Sequence, residues 1–288
     1  MSLYGQEPEV DLLREVLRRL ENKNVIDVGA ERGAFAQAML SAGATRVDAV
    51  EPEPSNVQAL EALRVGEPRL HVHPLAADRR DGTVRLHLST APDGSPIPFG
   101  HTVLERSDTP EIHWGRIVQV EARALSSLVE NGSLPDRVGI LKVDTEGNDV
   151  NVLEGLGELS ADVIMLEHWI DLPLSLGPCP WTLDDVTALM RRRGLRDFAF
   201  VGHHGEFVLL EWNSASLEEG EMGNLVFFHA DTVDALRDAA LNCASRLARQ
   251  SLDVGRMYAT AARERLELVE RLSAEIHGTT GASHAPGD

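Results

Sequence analysis

The stretch Val25-Ile26-Asp27-Val28-Gly29-Ala30-Glu31-Arg32-Gly33 limits what this chain can fold into more than any other part of it. An apolar run that reads as a strand passes into two glycines with only small or polar residues between them. A helix pattern carrying Ala34, Ala36 and Ala38 follows. A second apolar run, Val47-Asp48-Ala49-Val50, ends in an acid, Glu51, followed by Pro52. Together these describe a βαβ unit. Its glycines let the backbone close on a ligand, and the acid ending its second strand is placed to accept hydrogen bonds from two vicinal ribose hydroxyls.

The spacing then separates the candidate nucleotides. A dinucleotide fingerprint is G-x-G-x-x-G and offers helix N–H groups to a pyrophosphate. Here the glycines are spaced G-x-x-x-G, Glu31 fills the middle-glycine position, and Asp27 lies two residues before the first glycine. Two acids at this turn repel a pyrophosphate and suit a cationic sulfonium, which points to S-adenosylmethionine. The competing reading is a Rossmann-like domain with a degenerate loop.

Ordered motifs extend the pattern beyond the first unit. After Asp27-x-Gly29-Ala30-x-x-Gly33 come Glu51-Pro52-x-Pro54-x-Asn56 and Leu141-Lys142-Val143-Asp144-x-Glu146-Gly147 with Val152-Leu153-x-Gly155. Glu167-His168 and Gly223-Asn224-Leu225-Val226-Phe227-Phe228 complete the series. In this order they resemble the FkbM-family methyltransferases over roughly residues 22 to 230. The resemblance implies S-adenosylmethionine as cofactor and methyl transfer to a hydroxyl of a sugar, polyketide or other secondary metabolite. Two departures stand out: Glu31-Arg32 in the first loop, and Asn148-Asp149 after the Lys-x-Asp-x-Glu-Gly core.

Composition sets outer bounds. A chain of 288 residues, 43% of them hydrophobic, can bury a full core and suits one large α/β domain with an appendage. Two cysteines, Cys179 and Cys243, are too few and too far apart for a disulfide framework or a zinc site. No apolar run nears the roughly 20 residues that span a bilayer, and the acidic start lacks the features of a signal peptide, so a soluble, cytoplasmic protein is expected. A net charge of −19 argues against binding nucleic acid through its phosphates and favours a neutral or cationic small substrate. Solubility accounts for most of those acids.

Periodicity predicts a helix over residues 8 to 21 and strands at 24–28, 46–51, 69–73, 83–88, 138–144, 162–167, 195–201, 206–211 and 224–229. Helix patterns lie at 33–42, 54–64, 148–159 and 182–193. His203-His204-Gly205 is too short for a crossover, so the last strands include an antiparallel pair. The expected architecture is a Rossmann-like class I methyltransferase fold, a mostly parallel seven-stranded sheet with one antiparallel strand near an edge. The expected methyltransferase domain covers 1–230. Within it, 89–119 reads as a long lid or substrate loop that carries His101, His113 and Trp114. Residues 231–277 read as a helical appendage whose apolar stripe is buried on its own domain or mediates self-association, and 278–288 as a disordered tail.

Ligands of open α/β sheets bind outside the carboxyl ends of the strands. By that rule Asp27, Gly29 and Gly33 surround the methionine end of the cofactor and Glu51 takes the ribose. Ala30, Pro52 and Ala77 belong to the same turn and strand ends, and Asp78 is placed for the adenine amine. Lys142, Asp144 and Glu146 share one face if the chain stays extended, and charged residues at the mouth of an apolar strand are costly to bury without purpose. The competing role for Asp144 or Glu146 is to cap the helix near Asn148.

His168, at the end of the next strand, is the candidate base. Adjacent Glu167 and His168 cannot both face the substrate unless the strand has already ended. A magnesium ion held by Asp144 and Glu167, with or without His168, is the weaker alternative, which nothing in the spacing requires. His101, His113, His203 and His204 are read as loop residues, candidates for substrate contact or solvent exposure. Rival functions are an NAD-dependent oxidoreductase or epimerase, disfavoured by the missing third glycine and the lack of a Tyr-x-x-x-Lys pair, and a non-catalytic assembly protein that retains the cofactor site.

Overall fold

The computed structural model describes residues 8–172, 176–204, 207–229 and 232, all within the unit Met1–Cys243. The expected appendage (apart from Thr232) and tail lie outside the described residues. Helix α1 (Pro8–Arg19) is followed by β1 (Asn24–Val28), α2 (Ala34–Ala42), β2 (Arg46–Val50), α3 (Pro54–Arg64) and β3 (Leu70–His73). Next come β4 (Ala76–Ala77), β5 (Gly82–Thr90), β6 (His113–Arg123), α4 (Leu125–Glu130), β7 (Arg137–Val143) and α5 (Asp149–Glu154). The chain continues through β8 (Ser160–Trp169), β9 (Asp171–Leu172), β10 (Gly177–Pro178), α6 (Leu183–Arg192), β11 (Leu195–His204), β12 (Phe207–Trp212) and β13 (Met222–His229).

The main sheet has the order β12-β11-β13-β8-β7-β1-β2-β3. The pairs from β3 to β8 are parallel, whereas β13 is antiparallel to both β8 and β11. This is the expected mostly parallel, seven-stranded arrangement, with β12 added at the edge as the return arm of a hairpin with β11. The strand order reverses between β1 and β7, which opens a crevice at their carboxyl ends.

The two sheet faces are covered by different helices. Ile26, Leu141, Ile164, Leu166 and Leu225 pack with Leu128, Val152, Leu153, Val186 and Met190 in one cluster that draws on α4, α5 and α6. On the other face α1 packs against α2 and β7, with Leu13, Val16 and Leu17 fully buried. Local chemistry sets the helix starts. Pro54 stands at the head of α3, where Glu53 caps by accepting the Asn56 N–H at 2.7 Å. Thr182 and Asp185 form a reciprocal capping box at α6.

The segment expected as a loop at 89–119 is shorter. Its ends belong to β5 and β6, leaving 91–112 as the connection. β6 pairs with β5 on one side and β4 on the other in a separate three-stranded sheet, so the strand expected at 83–88 stands apart from the main sheet. The alternation of Val118, Val120 and Ala122 with Gln119, Glu121 and Arg123 was the readable signal for β6. His113 is therefore the first residue of β6, and His203 and His204 end β11 rather than standing on a loop.

Candidate active site

A cavity enclosing about 980 Å³, its open mouth included, lies over the carboxyl ends of β1, β2 and β7. Its floor holds Gly29 and Ala30, one side Glu51 and Pro52, and the other Lys142, Asp144 and Glu146. Pro98 to His101 and Val103, from the 91–112 connection, also line it.

Gly29 sits at φ +74°, and a Cβ there would stand 1.8 Å from the Asp144 carbonyl oxygen, so only glycine lets the ends of β1 and β7 meet. Gly33, at φ +86°, is the N-cap of α2 and lies behind the wall. The Glu51 carboxylate is buried and accepts two backbone N–H groups, Glu31 at 2.9 Å and Glu53 at 2.8 Å. Burial pushes its pKa up to about 7, against the pull of those N–H groups. Each oxygen keeps a lone pair for a further donor.

Asp27 does not reach the wall. Fully buried beneath it, its Oδ1 lies 3.2 Å from Lys142 Nζ, which also stands 3.2 Å from Asp144 Oδ2 and donates to the Gly29 carbonyl at 3.2 Å. Burial opposes the lysine's charge, but Asp144 and Asp27 outweigh it and raise the pKa of Lys142. The acids lining the cavity are thus Glu31, Glu51, Asp144 and Glu146. Asp78 is also off the wall, where its Oδ1 accepts the N–H of the adjacent Arg79 at 2.7 Å. Asn148 lines the cavity in that region and donates to the Ala77 carbonyl at 3.3 Å. Ala77 itself is on the wall, as expected.

Carboxylates crowd the end of β7. Glu146, at φ +56°, accepts the Gly100 N–H on Oε1 at 3.1 Å, and its carbonyl accepts from Thr102 Oγ1 at 3.0 Å and Arg106 Nη2 at 3.2 Å. The 91–112 connection is therefore tied to this one residue three times. Neither Asp144 nor Glu146 caps α5, whose N-cap Asn148 makes no side-chain cap hydrogen bond; Asp149, the first residue of the helix, curls its carboxylate back to accept the N–H groups of Thr145 and Gly147 in the preceding turn at 3.3 and 3.1 Å. Burial and then the neighbouring carboxylates lift Glu146 to about 8 and Asp149 to about 7, and raise Glu167 well above the ordinary range.

β8 runs unbroken through Trp169, so Glu167 and His168 point to opposite faces. In register Lys142 pairs with Met165, which puts Glu167, two residues on, on the same face as Lys142. His168 instead lies on the face packed by α6, stacked on Trp181 with ring centroids 4.9 Å apart. Burial lowers its pKa to about 4, and it is not part of the cavity wall. The expectation that His168 faces the reacting centre does not match this placement.

Of the loop histidines, His101 lines the cavity, and its Nδ1 accepts the Ser89 N–H at 3.0 Å. Among the described residues no three His, Cys, Asp or Glu side chains are grouped to hold a metal ion. No helix among them is long and apolar enough to cross a membrane.

The signals for the wall residues that site reasoning left out were uneven. Asn56 and Asn148 lie inside quoted motifs, whereas Pro98, Phe99 and Gly100 come from a segment without periodicity.

The profile of the family described as "Methyltransferase FkbM domain" matches residues 27–194, more than half of the chain. No curated protein matches the sequence. Among solved structures, methyltransferase FkbM from Methylobacillus flagellatus KT is similar at 16% identity and a TM-score of 0.43, over 72% of this chain and 44% of that one. The SAH-bound N-terminal domain of EvdMO1 is similar at 12% identity and a TM-score of 0.44, over 78% of this chain and 82% of that one. Precorrin-6y C5,15-methyltransferase from Geobacter metallireducens GS-15 is similar at 11% identity and a TM-score of 0.40, over 80% of this chain and 93% of that one.

Proposed function

We propose that this chain, which belongs to the FkbM methyltransferase family, moves the methyl group of S-adenosylmethionine to a hydroxyl oxygen of a small molecule. The observation that carries this reading is the chemistry of the cavity wall. A buried carboxylate, Glu51, is held by two N–H groups with lone pairs to spare, beside an apolar side made by Ala34, Phe35, Val50 and Ala77. Across from it stand Asp144 and Glu146, whose acids favour a cation over a phosphate.

The residues fit S-adenosylmethionine as follows. Glu51 accepts the ribose hydroxyls, the turn of Gly29 and Ala30 allows close approach, and Pro52, Ala77 and Asn148 border the adenosine end. The acids near Lys142 face the positive sulfonium. When bound, the cofactor supplies an electrophilic methyl and departs as a neutral thioether. Asp27 and Asp144 fix Lys142, Glu146 holds the 91–112 connection over the cavity as a lid, and a strand-end carboxylate accepts the hydroxyl proton. The net charge of −19 speaks for a neutral or cationic acceptor rather than a nucleic acid.

Calorimetry with S-adenosylmethionine, S-adenosylhomocysteine and NAD, followed by radiolabelled methyl transfer to a panel of polyols, phenols and amines, tests the reading. Binding of the first two but not NAD, with label on hydroxyl oxygen, supports it. Preference for NAD, or label on nitrogen alone, overturns it. The apolar stripe in 231–277 is proposed to mediate self-association, so truncation after Ala230 should lower the mass seen by light scattering. A full-length chain that is already monomeric would sink that proposal.

A further inference from the structure

We infer that Glu167, which lies off the cavity wall beside the histidine expected to be the base, is the group that takes the proton from the acceptor hydroxyl; this rests on the hydroxyl-transfer reading above. The argument comes from what each strand-end carboxylate already does. Asp144 is engaged with Lys142 at 3.2 Å. Glu146 spends Oε1 on the Gly100 N–H, and its backbone carbonyl secures Thr102 and Arg106. Asp149 is fully buried and committed to the Thr145 and Gly147 N–H groups. Glu167 differs, since its Oε2 is buried and has no hydrogen-bond partner among the described residues.

The register gives Glu167 the right address. On the Lys142 face of the sheet it continues the row of strand ends one strand beyond the cofactor cavity, next to Asp144. On its other side Asn224 of β13 is its direct register partner. An acceptor approaching the methyl group from the side away from the adenosine comes over this row. The charged and titratable groups that act on Glu167 are Asp144, Glu146 and Asp149, with Lys142 opposing them and the Cys179 thiol close by. Burial first, and then three acids against one lysine, make a carboxylate that is reluctant to ionise, and so a strong base once it has.

The step balances simply. The acceptor oxygen forms a bond to the methyl carbon as the carbon–sulfur bond breaks and its electron pair stays on sulfur. The hydroxyl proton moves to Glu167 Oε2 and later to solvent. No oxidant, reductant or further reactant is needed.

The test uses the full chain and Glu167→Gln, which keeps shape and removes basicity. Affinity for S-adenosylhomocysteine by calorimetry should stay within about twofold, because Glu167 is not on the cavity wall. Turnover of the hydroxyl acceptor found in the panel should fall by roughly 100-fold or more. The rise of kcat with pH in the unmutated enzyme, through a value well above the ordinary carboxylate range, should vanish. If the variant turns over normally with that rise intact, Glu167 is not the base and the hydroxyl reading survives. A tenfold loss of S-adenosylhomocysteine affinity would also overturn the assignment by making Glu167 a cofactor-site residue. Label appearing only on amines sinks both readings. If no acceptor is labelled, infrared difference titration of the S-adenosylhomocysteine complex, unmutated against Glu167→Gln, decides. A carboxyl band that titrates above pH 6 supports the assignment, and one ionised at ordinary carboxylate pH overturns it.

Discussion

The two sides of the crevice hold buried acid in different company. At the ends of β1 and β2 each acid has its charge answered, Asp27 by the Lys142 ammonium and Glu51 by two backbone N–H groups. At the ends of β7 and β8 four carboxylates, Asp144, Glu146, Asp149 and Glu167, crowd together with Lys142 paired to Asp144, and burial and then their mutual repulsion push three of them upward. Answered charge gives rigid acceptors with fixed directions, which suits recognition of a ribose. Burial raises Glu51 as well, so both sides hold carboxyls that exchange protons near neutral pH; what sets the β7–β8 side apart is the crowding of acids on one another, which suits chemistry. Lys142 joins the two sides, since it is bound to one acid of each.

The most damaging way to break the contrast is to remove that link. Lys142→Met should destabilise the fold by about 3–5 kcal/mol, because it leaves Asp27 ionisable and fully buried without its partner. Adding Asp27→Asn should recover part of the loss in chemical denaturation. An additive double variant would mean the pair is not coupled.

On the cofactor side alone, Glu51→Ala should weaken S-adenosylhomocysteine binding by about 2 kcal/mol, the loss of two charge-assisted hydrogen bonds. Unchanged affinity by calorimetry would remove the ribose assignment and with it the meaning of the contrast.

Both sides are probed by pH. Glu51, Glu146 and Asp149 have folded-state values of about 7, 8 and 7, above those of an unfolded chain. Their contribution to stability is therefore fully present below about pH 4, and it is lost as pH rises through 7 to 8. Melting temperature without ligand should fall over that window, and Glu146→Gln should flatten part of the slope. A flat profile from pH 5 to 8 would show that these acids are better solvated than their burial implies.

The smallest effect is expected at His168. Its ring stacks on Trp181 away from the cavity, so His168→Ala should cost about 1 kcal/mol of stability and leave S-adenosylhomocysteine affinity intact. A 100-fold fall in turnover with normal folding would return the histidine to the reaction and weaken the case for Glu167.

The sequence by itself determined the βαβ unit, the parallel sheet with its reversed strand, and the residues of the glycine turn with Glu51. Each of these is a local statement. A strand's run of apolar residues, a glycine forced to positive φ and an acid ending a strand are all written in consecutive positions. Lys142, Asp144 and Glu146 were legible as costly charges on an apolar strand, yet their division of labour was not. Only tertiary packing pairs Lys142 with an acid more than a hundred residues earlier and brings Gly100 onto Glu146.

The same holds for the choice between Glu167 and His168. Alternation says that only one of two neighbours can face the site, and the register of β8 against β7 and β13 is what selects Glu167. The wall between Pro98 and His101 was legible only as part of an expected lid or substrate loop, without its individual contacts, for a related reason. That segment has no period of its own, and its position is fixed by single hydrogen bonds to Glu146, Asn56 and Trp114 rather than by any pattern along the chain.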